Sequence, residues 1–298
     1  MSKKLYDGLE SKEINRIKKK SQVQFVLSHL FKNRLAVAGI LFLSIMIISS
    51  IAIGFLVDYK VIVKHDLRNK LLGVSARYWF GTDGFGRNLF YRIIYGARIS
   101  LMIGFVSVAG STVLGGTIGS IAGYYGGKLD IIIMRFIDIQ MAIPSTLFAI
   151  CIVSVLGTGI TNLLLAIMIA DIPQFALIFR SSVMSVKNSE FVEAARSNGC
   201  STYRIIFRHI LPNCMGPIIV QATLNLGGVI LTAASLSFIG LGVMPPTPEW
   251  GVILTEGQEY MRDFPTLVIF PGLAIMLTVL ACNFIGDGLR DALDPKLK

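Results

Sequence analysis

Long uncharged stretches alternate with short charged ones along the chain. Asp, Glu, Lys and Arg are absent from Leu35–Val57, Ile99–Gly127, Ile139–Ala170, Ile210–Pro248 and Phe264–Gly286, runs of 23, 29, 32, 39 and 23 residues. A helix crosses a bilayer with about 20 apolar residues. Lipid offers no water to open backbone groups, so runs of this length select helices. The 32-residue run exceeds one crossing, and Gly157-Thr158-Gly159 divides it. Helices are predicted over 132–156 and 160–180. The 39-residue run predicts one helix over 215–240, after which Pro245-Pro246-Thr247-Pro248 leaves the membrane. The expected architecture is an all-α membrane protein of six transmembrane helices. Its segments are 1–34 with a surface helix, a first span over 35–57, a loop over 58–98, a five-helix core over 99–286 that includes a polar loop at 181–212, and a tail over 287–298.

Charge orients these spans. Residues 1–34 carry nine Lys/Arg against three acids, and 180–212 five against two. Residues 243–263 carry Glu249, Glu256, Glu259 and Asp263 against Arg262 alone. Basic loops remain cytoplasmic, so both termini and 180–212 are expected inside, with 243–263 outside. The 58–98 loop runs against this rule, with eight Lys/Arg on the expected outer side. The net charge of +10 is thus read as topology, not as nucleic-acid binding. Thirty-four polar, basic residues precede the first run, which is expected to be a retained anchor. Val23, Val26, Leu27, Leu30 and Phe31 lie at helical spacing, flanked by Lys18, Lys19, Lys20, Lys32 and Arg34. That pattern suits a helix on the membrane lipid surface, or against a partner subunit. Cys151, Cys200, Cys214 and Cys282 are scattered, as are His29, His65 and His209, so no metal site or disulfide framework is expected.

The polar segment 187–213 has a structure of its own. Asn188 or Ser189 can cap a helix starting at Glu190, with acids in its first turn. Ala194 and Ala195 allow close approach to another surface. Gly199 suits the left-handed residue that ends a helix, Ser201 can cap a second helix from Thr202 to about Leu211, and Pro212 is expected to stop it. Such a pair of short helices is either an idle linker or a docking device.

Glu193-Ala194-Ala195, then Gly199, then Leu211-Pro212 resembles the EAA signature of the membrane subunits of bacterial ABC importers, with His209 at a position where the general pattern has Ile. Arg208–Asn213, RHILPN, is similar to the variant of the peptide and nickel branch. Three other strings resemble the same branch: Gly81–Asn88 with Arg92, Gly96 and Arg98; Ser235–Gly242 with Pro245–Gly251; and Gly286–Pro295. The long segment before the second span and the tail are similar to the second permease of the pair. The resemblance implies the type I importer permease fold in a bacterial cytoplasmic membrane. It implies a second permease subunit, two ATP-binding subunits that bind ATP and Mg, and an extracytoplasmic peptide-binding protein. It assigns coupling to Glu193, Ala194, Ala195, Gly199, Leu211 and Pro212. This chain has no GxxxxGK[ST] and is expected to bind no cofactor and catalyse no reaction itself.

Candidate residues of the path are Asp171, Asn225, Thr232 and Ser235. Asp171 lies roughly 18 Å below the outer end of its span, past the middle of a ~30 Å core. It is there either to meet a charged substrate group or to pair with Arg135, Arg180 or a neighbouring subunit. Ser235 and Thr232 can equally bond their own helix. Arg135 and Asp138 are three apart and can pair. Gly115, Gly119 and Gly123 predict a close helix crossing. Pro246 and Trp250 are candidate contacts for the binding protein, and Trp250 is alternatively an interfacial anchor. A nickel or metal-chelate importer would use the same motifs. An ion-coupled secondary transporter using Asp138 and Asp171 would leave the 190–212 segment unexplained.

Overall fold

A computed structural model describes residues 22–293. Lys18, Lys19, Lys20, Asp294 and Pro295 lie outside the described residues. Helix α1 spans Gln22–Leu30, α2 Arg34–Leu56, α3 Tyr59–Val63, α4 Leu89–Tyr125, α5 Gly127–Met141, α6 Ser145–Leu156, α7 Ile160–Val186, α8 Glu190–Ser197, α9 Thr202–Phe238, α10 Trp250–Gln258 and α11 Thr266–Leu293. Among the described residues, α2, α4, α7, α9 and α11 are each long and apolar enough to cross a bilayer. Helices α5 and α6 qualify only together, and an 86° bend separates them. A straight span over 132–156 is therefore corrected. Pro144 has no N–H to donate and disfavours helical backbone at Ile143, so the helix breaks at 142–144.

Two further helix ends differ from the sequence reading. Helix α4 starts at Leu89, where Asn88 accepts the Tyr91 N–H at 3.3 Å. Arg92 and Arg98 thus belong to the helix and not to the preceding loop. Pro212 does not end the helix begun at Thr202. A π-helical turn over Ile205–Ile210 precedes it, with the Leu211 N–H donating to Ile206 O, five residues back. The wider turn absorbs the register change that a proline imposes. Asn213 Nδ2 donates to His209 O at 2.6 Å and serves a carbonyl beside the disruption.

The bundle is built around the α4–α7 seam. A methyl group at Gly115, Gly119 or Gly123 would overlap the carbonyl oxygens of Ile172, Ala176 and Arg180 respectively. Both sets advance by four residues, so two helical ridges run in register with backbone against backbone. Gly39 meets Ala281 of α11 in the same way, and Gly104 meets Ile230 of α9. The main core joins α2, α4, α7, α9, α10 and α11, while a smaller one gathers Phe179, Val183, Val192, Ala195, Ile205 and Ile210. The two ends of the bundle are distinct. One holds 58–88, 157–159 and 240–265, linked by the Gly159 N–H to Gly242 O bond. The other holds 126 and 187–202, linked by Lys187 Nζ to Gly123 O at 2.9 Å. Leu30 of α1 is buried beside Gly288 of α11, so α1 leans on its own chain's last helix and keeps Leu27 and Phe31 exposed.

Candidate functional sites

At the 187–202 end, α8 is a two-turn amphipathic helix. Val192 and Ala195 are buried in the smaller core, while Phe191, Glu193 and Ala194 are exposed. Adjacent residues lie about 100° apart on a helix, so the two alanines divide their tasks. Ala195 lets α8 sit close to α7 and α9, and Ala194 leaves the outer face low. Ser189 occupies the N-cap position, but its hydroxyl donates to Val186 O at 2.6 Å and caps nothing. Gly199 has φ of 72°, as expected for a left-handed terminator, and a Cβ there would meet nothing within 4 Å. Ser201 Oγ accepts the Arg204 N–H at 3.4 Å. Leu211 is half-buried and Pro212 exposed. Tyr203 and Phe207 pack with ring centroids 4.4 Å apart and planes tilted by 36°, and remain 71% and 55% exposed. Sequence reading missed this aromatic pair with Phe191. Its signal was the i, i+4 spacing of two rings in a basic, polar segment.

Mid-bundle, two path candidates meet. Asn225 Nδ2 of α9 donates to Asp171 Oδ2 of α7 at 2.9 Å. Pairing of Asp171 with Arg135 or Arg180 is corrected: Arg180 instead makes a two-pronged bond to Asp130 at 2.5 and 2.6 Å, four residues closer to the helix end than Ala176. Arg135 pairs loosely with Asp138 at 3.9 Å, and both are exposed. Asp171 borders a cavity of about 470 Å³ at the α5–α6 bend, shared with Gln140, Ser145, Phe148 and Gln174. Thr232 is half-buried about two turns further along α9, and the Ser235 hydroxyl bonds its own helix at Leu231 O, 2.8 Å. Ser235 thus spends its donor locally and is not drawn to Asp171.

At the opposite end the structure shows a cluster that sequence reading did not assemble. Asp83 Oδ2 accepts from Arg87 Nε and Arg92 Nη1 at 2.7 and 2.6 Å, and Glu256 Oε2 accepts from Arg87 Nη2 and Arg92 Nη1 at 2.7 and 2.5 Å. Both arginine side chains are buried. Burial pushes the Asp83 carboxyl up, but Arg92 and Arg87, with the Arg87 and Phe85 N–H groups, hold it below the usual range. Two of the eight cations that contradicted the topology rule are thus neutralised internally, each by Asp83 and by Glu256 of the 243–263 segment. Trp250 is fully buried, with Nε1 donating to Ile93 O at 3.0 Å. It locks α10 to α4 and offers no surface to a partner here, whereas Pro246 is exposed. Glu249 is buried beside it, accepting from Ser100 Oγ at 3.1 Å and from the Val252 N–H at 3.1 Å. Burial raises its carboxyl above the usual value despite these bonds. Among the described residues no group of His, Cys, Asp and Glu is placed to hold a metal ion.

Known proteins share this sequence and arrangement. Residues 115–298 match the family model described as binding-protein-dependent transport system inner membrane component. The chain is 49% identical over 267 residues to the dipeptide transport system permease protein DppC of Alkalihalophilus pseudofirmus, covering 90% of this chain and 88% of that one. It is 45% identical to the glutathione transport system permease protein GsiD of Pectobacterium atrosepticum, over 90% of this chain and 89% of that one. It is 44% identical to the di/tripeptide transport system permease protein DppC of Pseudomonas aeruginosa, over 89% of each. Among solved structures, the inward-facing MetNI methionine ABC transporter aligns with a TM-score of 0.56 at 17% identity, over 69% of this chain and 98% of that one. An amino acid ABC transporter aligns with a TM-score of 0.52 at 17% identity, over 67% and 93%. The fold is that of ABC importer permeases.

Proposed function

The chain belongs to the family of binding-protein-dependent transport system inner membrane components, and from that premise we propose that it forms, with a second permease, the translocation path of an ATP-driven importer of short peptides. The three relatives named above carry dipeptides, di- and tripeptides, and the tripeptide glutathione in their names, which favours peptide cargo over nickel or metal chelates. An external binding protein delivers the peptide. Two ATP-binding subunits on the cytoplasmic face bind ATP and Mg and hydrolyse the nucleotide. The membrane is the bacterial cytoplasmic membrane, with both termini inside.

The observation that carries this reading is the construction of α8. Its inner face is anchored by Val192 and Ala195, its outer face exposes Phe191, Glu193 and Ala194, and Gly199 closes it at positive φ. In this reading α8 sits in a cleft of an ATP-binding subunit. Closure of the ATPase pair pulls on α8, and the smaller core passes that motion to α7 and α9. Transport energy comes from the different affinity of the nucleotide for the two states, not from the peptide. Leu211 and Pro212 lie at the π-turn through which α9 receives the motion.

Gly199 gives the test. Space is open around it, so only its backbone conformation opposes a side chain. A left-handed backbone costs an ordinary residue about 1–2 kcal/mol, and Asn least. In the reconstituted complex, Gly199→Val is expected to lower ATP hydrolysis stimulated by loaded binding protein about tenfold, while Gly199→Asn keeps most of it. Both should still assemble with the second permease. Normal stimulation in Gly199→Val would remove the coupling role of α8.

A further inference from the structure

We propose that the cavity at the α5–α6 bend binds the free α-ammonium group of the peptide in transit, with Asp171 as its counter-charge. This rests on the peptide-importer reading above and names the part of the peptide that the path recognises.

Asp171 is a carboxylate deep in a span with no cation of the described residues beside it. Among the described residues no Lys, Arg or His lies within ion-pair distance, and Arg180 of the same helix is committed to Asp130. An intramembrane acid in that condition faces water, a substrate or another subunit. Its Oδ2 is fixed by Asn225, while Oδ1 accepts no hydrogen bond from the described residues. Asn225 therefore orients the group and leaves one oxygen for a donor from outside. The cavity of about 470 Å³ is of the size that takes small ligands. Its other polar side chains, Gln140, Gln174 and Ser145, are neutral, so Asp171 sets the sign of the site. Gln140 also donates to Ile169 O at 2.7 Å, which ties the end of α5 to α7 beside the carboxylate. A path that accepts many side chains can recognise only what every peptide shares, its backbone amides and its two termini, and of these only the termini are charged. A lone carboxylate with amide neighbours fits the ammonium end and repels the carboxylate end.

The full complex is reconstituted with its binding protein and ATP, and dialanine uptake is measured against ATP consumed. Asp171→Asn keeps the hydrogen bond to Asn225 and removes the charge. It is expected to assemble and to hydrolyse ATP in response to loaded binding protein, with uptake per ATP about tenfold lower. Moving the charge across the same bond, in Asp171→Asn with Asn225→Asp, is expected to restore part of it. A second arm omits the binding protein, so its selectivity plays no part. Dicyclohexylcarbodiimide, which attacks carboxyl groups in apolar surroundings, is applied to the complex and modification of Asp171 is read by mass spectrometry. Alanyl-alanine amide, with an ammonium and no carboxylate, is expected to protect; N-acetyl-dialanine, with a carboxylate and no ammonium, is not. Unchanged uptake per ATP in Asp171→Asn, or equal protection by the two compounds, overturns the site. So does loss of subunit assembly in Asp171→Asn, which would give the carboxylate to the second permease. Absence of ATP-driven dialanine uptake by the wild-type complex would instead remove the importer reading itself.

Discussion

A carboxyl group with no cation beside it resists burial in its charged form, and Glu249 is buried completely. Its two acceptor bonds, to Ser100 and the α10 N-terminus, reduce that penalty without cancelling it, so its proton is held to higher pH than in an unfolded chain. The sign follows from linkage: a folded-state value above the unfolded one gives stability that is complete below the unfolded value and is lost as pH rises through the folded value. Glu249→Gln mimics the protonated acid. Thermal unfolding of the two proteins in detergent should therefore coincide near pH 4, and the variant should gain on the wild type as pH rises. A pH-independent gap would mean that Glu249 titrates as an ordinary acid. At this scale the sequence revealed positions but not partners. The depth of Asp171 follows from counting along α7, whereas its bond to Asn225 depends on the rotation of α9, which the run lengths leave free. Trp250 was read as a contact for the binding protein or as an interfacial anchor; its burial depends on α10 folding back over Ile93.

At the scale of elements, the α4–α7 seam is the least forgiving contact in the bundle. Gly119 has the closest approach, to the Ala176 carbonyl, and backbone cannot rotate aside as a side chain can. Gly119→Val is expected to separate α4 from α7 and to destabilise the bundle by more than the roughly 1–3 kcal/mol of an ordinary overpacked site. Gly126→Ala, where only the Lys187 amine lies near, should cost less in packing but carries a positive-φ penalty of its own. Melting in detergent ranks the two, and a mild Gly119→Val would mean that the seam is not held by backbone contact. The glycine spacing made this crossing legible. The starts and breaks of helices were less so. Arg92 and Arg98 were read as loop, yet Asp83 and Glu256 neutralise Arg92 and Asn88 caps the helix, so α4 begins at Leu89. The bend at 142–144 and the π-turn before Pro212 both follow from prolines. A proline announces that regular hydrogen bonding fails, and only the surrounding packing decides whether the chain bends or takes a wider turn.

For the whole molecule, the proposed orientation places 58–88 and 240–265 outside and 187–202 inside. Glu256 is tied to Arg87 and Arg92, so Glu259, which is exposed, is the better probe of its segment. In a chain whose four cysteines are replaced by alanine, Glu259→Cys should react with an impermeant thiol reagent added to intact cells. Asn198→Cys should react only after the cells are opened. The reverse labelling would invert the molecule and separate α8 from any cytoplasmic ATPase. Run lengths alone indicated an all-helical membrane bundle, and its direction rests on the charge bias that this labelling tests. The internal neutralisation of Arg87 and Arg92 was hidden, because it joins residues far apart in the chain.

That separation also sets a schedule. Glu256 follows Arg87 by 169 residues. A ribosome adding about 5–20 residues per second reaches it roughly ten to thirty seconds later. During that interval the two arginines have Asp83 alone as their carboxylate, beside a membrane whose inner face attracts cations. In the proposed orientation the segment that opens α4 then carries two arginines on the outer side with one carboxylate between them, and the arrival of α10 supplies the second.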